Sequence, residues 1–461
     1  MMIELRRERS ASNVWFLLLI AFFIILWISG GASKSTVIGQ AAVRGAAVAP
    51  LVAAFLFAKR PDHQRLPGKP VLMLLLATIA LVIFQLTPVP AGLWSMLPGR
   101  SDLAAALPGT PISRPFTMVP GATANAAASL LVPLTTLILI ILAGPKVRFR
   151  CATLLLALIA VSMLLGALKF SGIYIENPLI NDSRLDVAGN FANRNHFALI
   201  LALGCLIAPV WAFLPGRPER GRGAITLILI PLFMLIALAS GSRAGLFLCC
   251  LGLGLGVFLA RRPLRSIMRA KPSWMLPTLI AVGVSAIAAL GLASVVFGRA
   301  VAVNRALDMN AVGDLRIRAL PTVISMIKSY FPAGAGFGSF DTVFRIHEPF
   351  ALLKPTYFNH AHNDFLEIVL DGGLPGLVLL IAGLGWWIWA SVRVWRKQTS
   401  PNTLLARLGS AMLLLIFLAS IVDYPARTPI VMAIMVMAAL WLEADTATPG
   451  RPALPTGRRH I

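Results

Sequence analysis

Apolar runs recur from end to end of this chain, and crossing the hydrocarbon core of a bilayer takes about 20 residues of helix. Hydropathy places about twelve of them, near residues 14–30, 40–58, 70–86, 122–143, 151–168, 192–214, 224–240, 244–260, 274–297, 374–392, 403–422 and 428–442. The second is the weakest, because Arg44 and Pro50 interrupt it. A chain that is 58% hydrophobic and 13% charged over 461 residues is no soluble domain. Backbone polar groups in hydrocarbon must be satisfied within their own segment, so the expected fold is an all-α polytopic bundle. One integral membrane domain over 1–445 and a tail over 446–461 are expected.

The basic residues test that count. With both termini cytoplasmic, the segments on that side hold Arg6, Arg7 and Arg9; Lys59, Arg60, Arg65 and Lys69; Lys146, Arg148 and Arg150; and Arg217, Arg220 and Arg222. Arg261, Arg262, Arg265, Arg269 and Lys271 follow, then Arg393, Arg396 and Lys397, then Arg451, Arg458 and Arg459. Each of these segments is basic, as the positive-inside rule requires, and an odd number of spans would spoil the alternation. Most of the net charge of +23 is thus a topology signal beside an anionic leaflet. No basic cluster sits in an aromatic-bearing soluble domain, so nucleic acid is not an expected partner. The first run reads as a retained span rather than a cleaved signal peptide. Cys151, Cys205, Cys249 and Cys250 fall in or beside apolar runs, without metal-type spacing, and read as small packing residues.

The opposite face carries one large loop, about 298–373, and two smaller ones near 87–121 and 169–191. A loop of that length is more than a connector. This face bears Arg184, Arg194, Arg243, Arg299, Arg305, Arg316, Arg318, Arg345 and Arg427, against the positive-inside bias. A guanidinium suits phosphate, because its planar fork donates two parallel charged hydrogen bonds. Asp182, Asp186, Asp308, Asp314, Asp341, Glu348 and Asp423 offer the plainer alternative of structural ion pairs. Arg243 stands out in the turn Ser240-Gly241-Ser242-Arg243-Ala244-Gly245, close to the bilayer. Arg316 and Arg318 open a segment with helical apolar spacing, so one of the two faces a site. The cluster Pro332 to Phe340 fits no P-loop and reads as a structural turn. Gly252, Gly254 and Gly256 read as helix packing.

Near the end of the large loop runs Asn359-His360-Ala361-His362-Asn363-Asp364-Phe365-Leu366-Glu367. Asn359 is expected to cap a short interfacial helix that Asp371-Gly372-Gly373 ends, before a span beginning at Leu374-Pro375-Gly376. On that helix His360 and Asp364 would share one face, and Asn363 and Glu367 another. A neutral imidazole, with its usual pKa of about 6.5, can take a proton from a sugar hydroxyl. Metal binding by His-x-His, and histidines that only bond the helix start, are the rival readings.

The run Phe358 to Leu377 resembles the signature of the O-antigen ligase and O-antigen polymerase superfamily. Ser240 to Arg243, the Arg316/Arg318 segment followed by Pro332 to Phe340, and Asp423-Tyr424-Pro425-Ala426-Arg427 match in order and spacing. Gly189 to Asn195 resembles the polar turn before a middle span, and the likeness covers roughly 185–445.

The resemblance implies a GT-C-like fold with a large periplasmic loop, and a metal-independent, inverting glycosyltransferase of the bacterial inner membrane with no cofactor. Its donor would be a glycan on undecaprenyl pyrophosphate, and its acceptor lipid A-core or another glycan. By that likeness Arg243 and Arg316 or Arg318 bind the pyrophosphate, and His362, less so His360, activates the acceptor hydroxyl. Asn363, Glu367, Arg194, Asp423 and Arg427 are expected to support them. Ligase, polymerase and protein O-oligosaccharyltransferase stay open, as does a transporter or flippase of a lipid-linked saccharide.

Overall fold

The structure is a computed structural model. It describes residues 2–58, 68–105, 113–181, 186–214, 220–269, 315–353 and 358–446, with four isolated positions between 272 and 285. The apolar run at 274–297 lies almost wholly outside these residues. So do Lys59, Arg60, Arg65, Asp182, Arg184, Arg217, Lys271, Arg299, Arg305, Asp308, Asp314 and the tail from 447.

The remaining eleven apolar runs are all helical. In chain order the helices are α1 (Met2–Ser29), α2 (Ile38–Phe57), α3 (Lys69–Phe84), α4 (Ala91–Met96), α5 (Ser101–Ala105), α6 (Pro120–Ser129), α7 (Leu131–Ala143) and α8 (Arg148–Ser171). They continue with α9 (Arg194–Trp211), α10 (Arg220–Ala239), α11 (Arg243–Arg269), α12 (Leu315–Tyr330), α13 (Phe340–His347), α14 (Asp364–Arg396), α15 (Pro401–Ser420) and α16 (Pro429–Thr446). Among the described residues nine segments are long and apolar enough to cross a membrane, and two shorter apolar helices, Lys69–Phe84 and Pro429–Ala444, accompany them. The run that Pro50 and Arg44 seemed to weaken is one continuous helix, in which Arg44 donates to Asn125 Oδ1. The run expected at 122–143 is one spanning segment, Pro120–Ala143, whose helix is interrupted at Leu130. The described sheet is one short antiparallel pair in the 87–121 loop, Pro88–Val89 with Arg114–Pro115.

Helix ends gather in two sets. Ser12, where the apolar part of α1 begins, donates to the carbonyl of Ala143 at the end of α7, and the Arg150 guanidinium lies over the Phe16 ring. At the other end of α1, the Gly30 and Gly31 carbonyls accept from Ile430 and Ala192.

Helices α9 and α15 form the interior, with 89% and 83% of their spanning windows buried. Glycines bring α11 against α9. A Cβ on Gly245 would lie 2.2 Å from Ala198 Cβ, one on Gly252 2.6 Å from the Ala202 carbonyl oxygen, and one on Gly256 2.6 Å from that of Leu206. These approaches ascend both helices together, so α9 and α11 run parallel with their N-termini side by side. Without hydrophobic drive inside a bilayer, such close packing is what holds spanning helices together. Gly254 meets nothing within 4 Å and takes no part.

The described part of the large loop folds over α14 on a second small core of Val323, Met326, Phe340, Phe344 and Leu370. The glycine cluster is a turn, as expected, and it is pinned from three sides. Gln85 Oε1 accepts from Phe337 N, Asp371 Oδ2 accepts from Gly338 N, and the buried Arg100 guanidinium donates to the Gly334 carbonyl. Burial lowers the Arg100 pKa to about 10, against the opposing effect of Tyr330. The expected break in α14 falls at Gly373, at φ 56° and ψ −144°, where a Cβ would stand 2.2 Å from the Pro332 carbonyl oxygen.

Candidate functional site

Four helix starts, those of α9, α11, α12 and α14, and the loop after α15 build the site. Asn193 caps α9 by accepting from Asn195 N, so the first turn carries Asn195 and His196 at its mouth. Ser242 Oγ accepts from Gly245 N and turns the chain into α11, which begins at Arg243. Because Gly245 abuts Ala198, Arg243 starts its helix level with His196. Asn363, not Asn359, caps α14 by accepting from Leu366 N. The helix therefore begins at Asp364, and His360 and His362 precede it. The expected sharing of helix faces gives way to longer-range pairing.

Asp423, 2% exposed, is the hub. His362 Nδ1 lies 3.3 Å from its Oδ1, and His196 Nε2 lies 3.7 Å from the same oxygen. Asn193 and Asn195 donate to the carboxylate, and the Arg316 guanidinium stands 3.7 Å from Oδ2. Burial alone would raise the Asp423 pKa. The hydrogen bonds from His196 and His362, with the charges of His196 and Arg316, outweigh it and hold the carboxyl well below the usual range. Tyr424 packs its ring against His196, His360 and His362, with centroids 5.0, 4.3 and 4.9 Å away. Burial and the Asp423 charge push its phenol up to about 12. His362 itself sits at φ 51°, a left-handed conformation that costs a side-chain-bearing residue roughly 1 kcal/mol or more.

A second cluster lies behind the first. Arg427 stands 3.5 Å from Asp364, 3.3 Å from Glu367 and 3.4 Å from Asp371, all three buried. Burial would lower the Arg427 pKa, but the three carboxylates outweigh it and raise it. His360 Nδ1 lies 2.8 Å from Glu367 Oε1, and the other oxygen of Glu367 accepts from Ala361 N. Asp364 accepts from Ser420 Oγ and Ala426 N, which fixes α14 against the end of α15. The loop that carries both histidines is thus held by Glu367 of its own helix at His360 and Ala361, and by Asp423 at His362.

The expected site residues do not all meet. Arg316 faces Asp423 and donates to the Val422 carbonyl, whereas Arg318 donates to the Ala351 carbonyl on another side of α12. Arg194 pairs with Asp186 at 3.5 Å, while its neighbours Asn193 and Asn195 turn to Asp423. Asn363 donates to the Ile421 carbonyl, tying the His362 segment to the loop of Asp423. Ala244 and Gly245, next to Arg243, line a small cavity with Asn195, His196, Arg316 and Asp423. Arg345 pairs with Asp341 in the plain structural manner. No group of three or more His, Cys, Asp or Glu side chains able to hold a metal ion occurs among the described residues. The four cysteines are free thiols.

Residues 225–381 match the family model described as O-Antigen ligase. The likeness to that family covers this segment, about a third of the chain. A search of the curated proteins finds no match. The O-antigen ligase match contains Arg243, Arg316, His360 and His362, and it supports a multi-pass membrane enzyme of the ligase or polymerase type. Asn193, Asn195, His196, Asp423 and Arg427 lie outside the matched residues, and the fold returns them to the O-antigen ligase segment. His196 escaped the sequence reading. Its signal was there, as a histidine closing the polar run Asn193-Arg194-Asn195 at the start of an apolar span.

Proposed function

We propose that this protein transfers or polymerises glycan from an undecaprenyl-pyrophosphate-linked donor to an acceptor hydroxyl, at the periplasmic face of the bacterial inner membrane. The observation that carries the reading is the Asp423 hub, which brings His362 and Arg316 to one carboxylate. Asp423, held ionised, accepts from His362 Nδ1–H, which leaves Nε2 as the basic nitrogen and stabilises the imidazolium once it forms. Nε2 takes the proton of the acceptor hydroxyl as the hydroxyl oxygen attacks the anomeric carbon. The bond from that carbon to the pyrophosphate oxygen breaks, and the configuration inverts. Arg316 and Arg243, beside the N-termini of α9 and α11, receive the negative charge that grows on the pyrophosphate. Arg427 and its carboxylates hold the histidine loop in place.

The test is transfer by purified protein in lipid nanodiscs, with an undecaprenyl-pyrophosphate glycan of known anomeric configuration and NMR of the product linkage. Inverted product without added metal or cofactor supports the reading, and retained configuration overturns the single-displacement mechanism. Movement of the donor across a proteoliposome bilayer without bond formation would favour a flippase instead.

A further inference from the structure

His196 lies outside the residues matched to the ligase family, and the transfer step described above gives it no task. It is 2% exposed, an imidazole buried beside the reacting groups. Its neighbours on the first turn of α9 fix its place. Phe197 is clamped between glycines, since a Cβ on Gly166 would lie 2.5 Å from its ring and one on Gly189 2.6 Å. Ala198 is the residue against which Gly245 of α11 packs. The imidazole is therefore carried on a turn that cannot shift without moving α8, the turn at Gly189 or α11.

Both ring nitrogens are engaged. Nδ1 lies 3.0 Å from the Thr428 hydroxyl, and Nε2 lies 3.7 Å from Asp423 Oδ1 and 3.4 Å from the Asn193 amide nitrogen. An ionised carboxylate only accepts, so the nitrogen that faces it carries the hydrogen. Asn193, which is nearer to Asp423 Oδ2 at 3.3 Å, donates there. Nδ1 is then the acceptor, and the buried Thr428 hydroxyl donates to it. That hydroxyl sets the His196 tautomer.

Asp423 Oδ1 thus faces three N–H groups, those of His362 Nδ1, His196 Nε2 and the Tyr424 backbone, whose nitrogen stands 3.0 Å away. Oδ2 accepts from Asn195 and stands 3.7 Å from Arg316. The other titratable groups around His362 are Tyr424, whose ring packs on all three histidines, and His360, which Glu367 holds. Arg243 begins the helix beside α9. A bare carboxylate beside an imidazole holds it as imidazolium, and an imidazolium takes no proton. A general base must instead lose its proton near the working pH. Each further N–H or cation on Asp423 draws part of its charge away from His362.

We propose that His196 is a positioning residue of the transfer reaction, which shares Asp423 Oδ1 with His362 and so keeps His362 neutral and able to take the proton of the acceptor hydroxyl. The inference rests on the transferase reading above. In it His196 touches no substrate and keeps its own proton throughout.

Three variants separate this role from packing. His196→Phe keeps a ring against Tyr424 and removes the donor. His196→Gln restores an N–H at the reach of Nε2. Thr428→Val keeps the shape of the side chain and releases the tautomer. The first readout needs no substrate. Full-length protein in nanodiscs is treated with diethyl pyrocarbonate, which acylates only neutral imidazole, and carbethoxylation of His362 is followed by peptide mass spectrometry across about pH 5–8. The pH of half-maximal reaction should rise by about half a unit or more in His196→Phe, and rise by less in Thr428→Val. In His196→Gln it should stay within about 0.2 unit of the wild type. In single-turnover transfer the acid limb of the pH–rate profile should move with it, while donor affinity stays within about twofold.

A transfer rate lowered by one factor at every pH, with the His362 midpoint unmoved, overturns the proposal and leaves the transferase reading standing. So does a midpoint that moves equally in His196→Phe and His196→Gln. If His196→Phe does not fold, the Thr428→Val midpoint decides, and an unmoved one overturns the proposal. Midpoint shifts as expected in a protein that transfers no glycan support the link from His196 to His362 through Asp423 and overturn the transferase reading.

Discussion

His362 Nδ1 and Asp423 Oδ1 stand 3.3 Å apart, across 61 residues of sequence. The pair joins the loop before α14 to the loop after α15, and it gives the imidazole an orientation that neither segment could supply alone. An Asp423→Asn variant keeps the shape but removes the charge that steadies an imidazolium. Its single-turnover transfer rate should fall about 10²–10⁴-fold. An unchanged rate would show that the pair is structural.

The charge state of Asp423 has a pH signature. Its folded pKa is depressed, so its contribution to stability is fully present above the unfolded carboxylate value of about 4, and it is lost as pH falls further through the folded value. Thermal unfolding of wild type and Asp423→Asn should therefore differ at about pH 5, and the difference should shrink as pH falls below about 4. A difference that does not shrink there would assign the stabilisation to another group.

The arginines should divide. Arg316→Lys keeps a charge but loses the planar fork, and donor affinity should fall about tenfold. Arg243→Lys should behave similarly, and unchanged donor binding there would make Arg243 a structural residue. Arg318→Ala removes a guanidinium bonded to the Ala351 carbonyl, away from Asp423, and should leave donor affinity within about twofold. Isothermal titration with a short-chain polyprenyl pyrophosphate reads all three.

Arg427 is held among Asp364, Glu367 and Asp371. Replacing it with Met leaves buried carboxylates without their cation, which costs about 3–5 kcal/mol. The detergent-solubilised variant should melt well below the wild type, and an unchanged Tm would contradict the cluster as drawn.

Much of this architecture was legible because lipid leaves the chain few choices. Each described apolar run became a helix, Gly373 broke α14 where the glycine pair announced it, and Gly252 and Gly256 packed as small residues do. What stayed hidden was partnership across distance. Local spacing paired His360 with Asp364, whereas the helix starts later and His360 reaches Glu367 instead. Nor could spacing choose between Arg316 and Arg318, because the choice depends on where Val422 and Asp423 return to the loop. His196 lay unread at the start of α9, since a buried histidine acquires meaning only when a carboxylate arrives beside it.

The most direct measurement is single-turnover transfer of glycan from an undecaprenyl-pyrophosphate donor by purified wild-type protein and by His362→Ala, with donor binding measured in parallel. The expected result is a rate lower by about 10²–10⁴-fold with donor affinity preserved. Full retention of activity in His362→Ala would contradict the assignment of His362 as the acceptor-activating base.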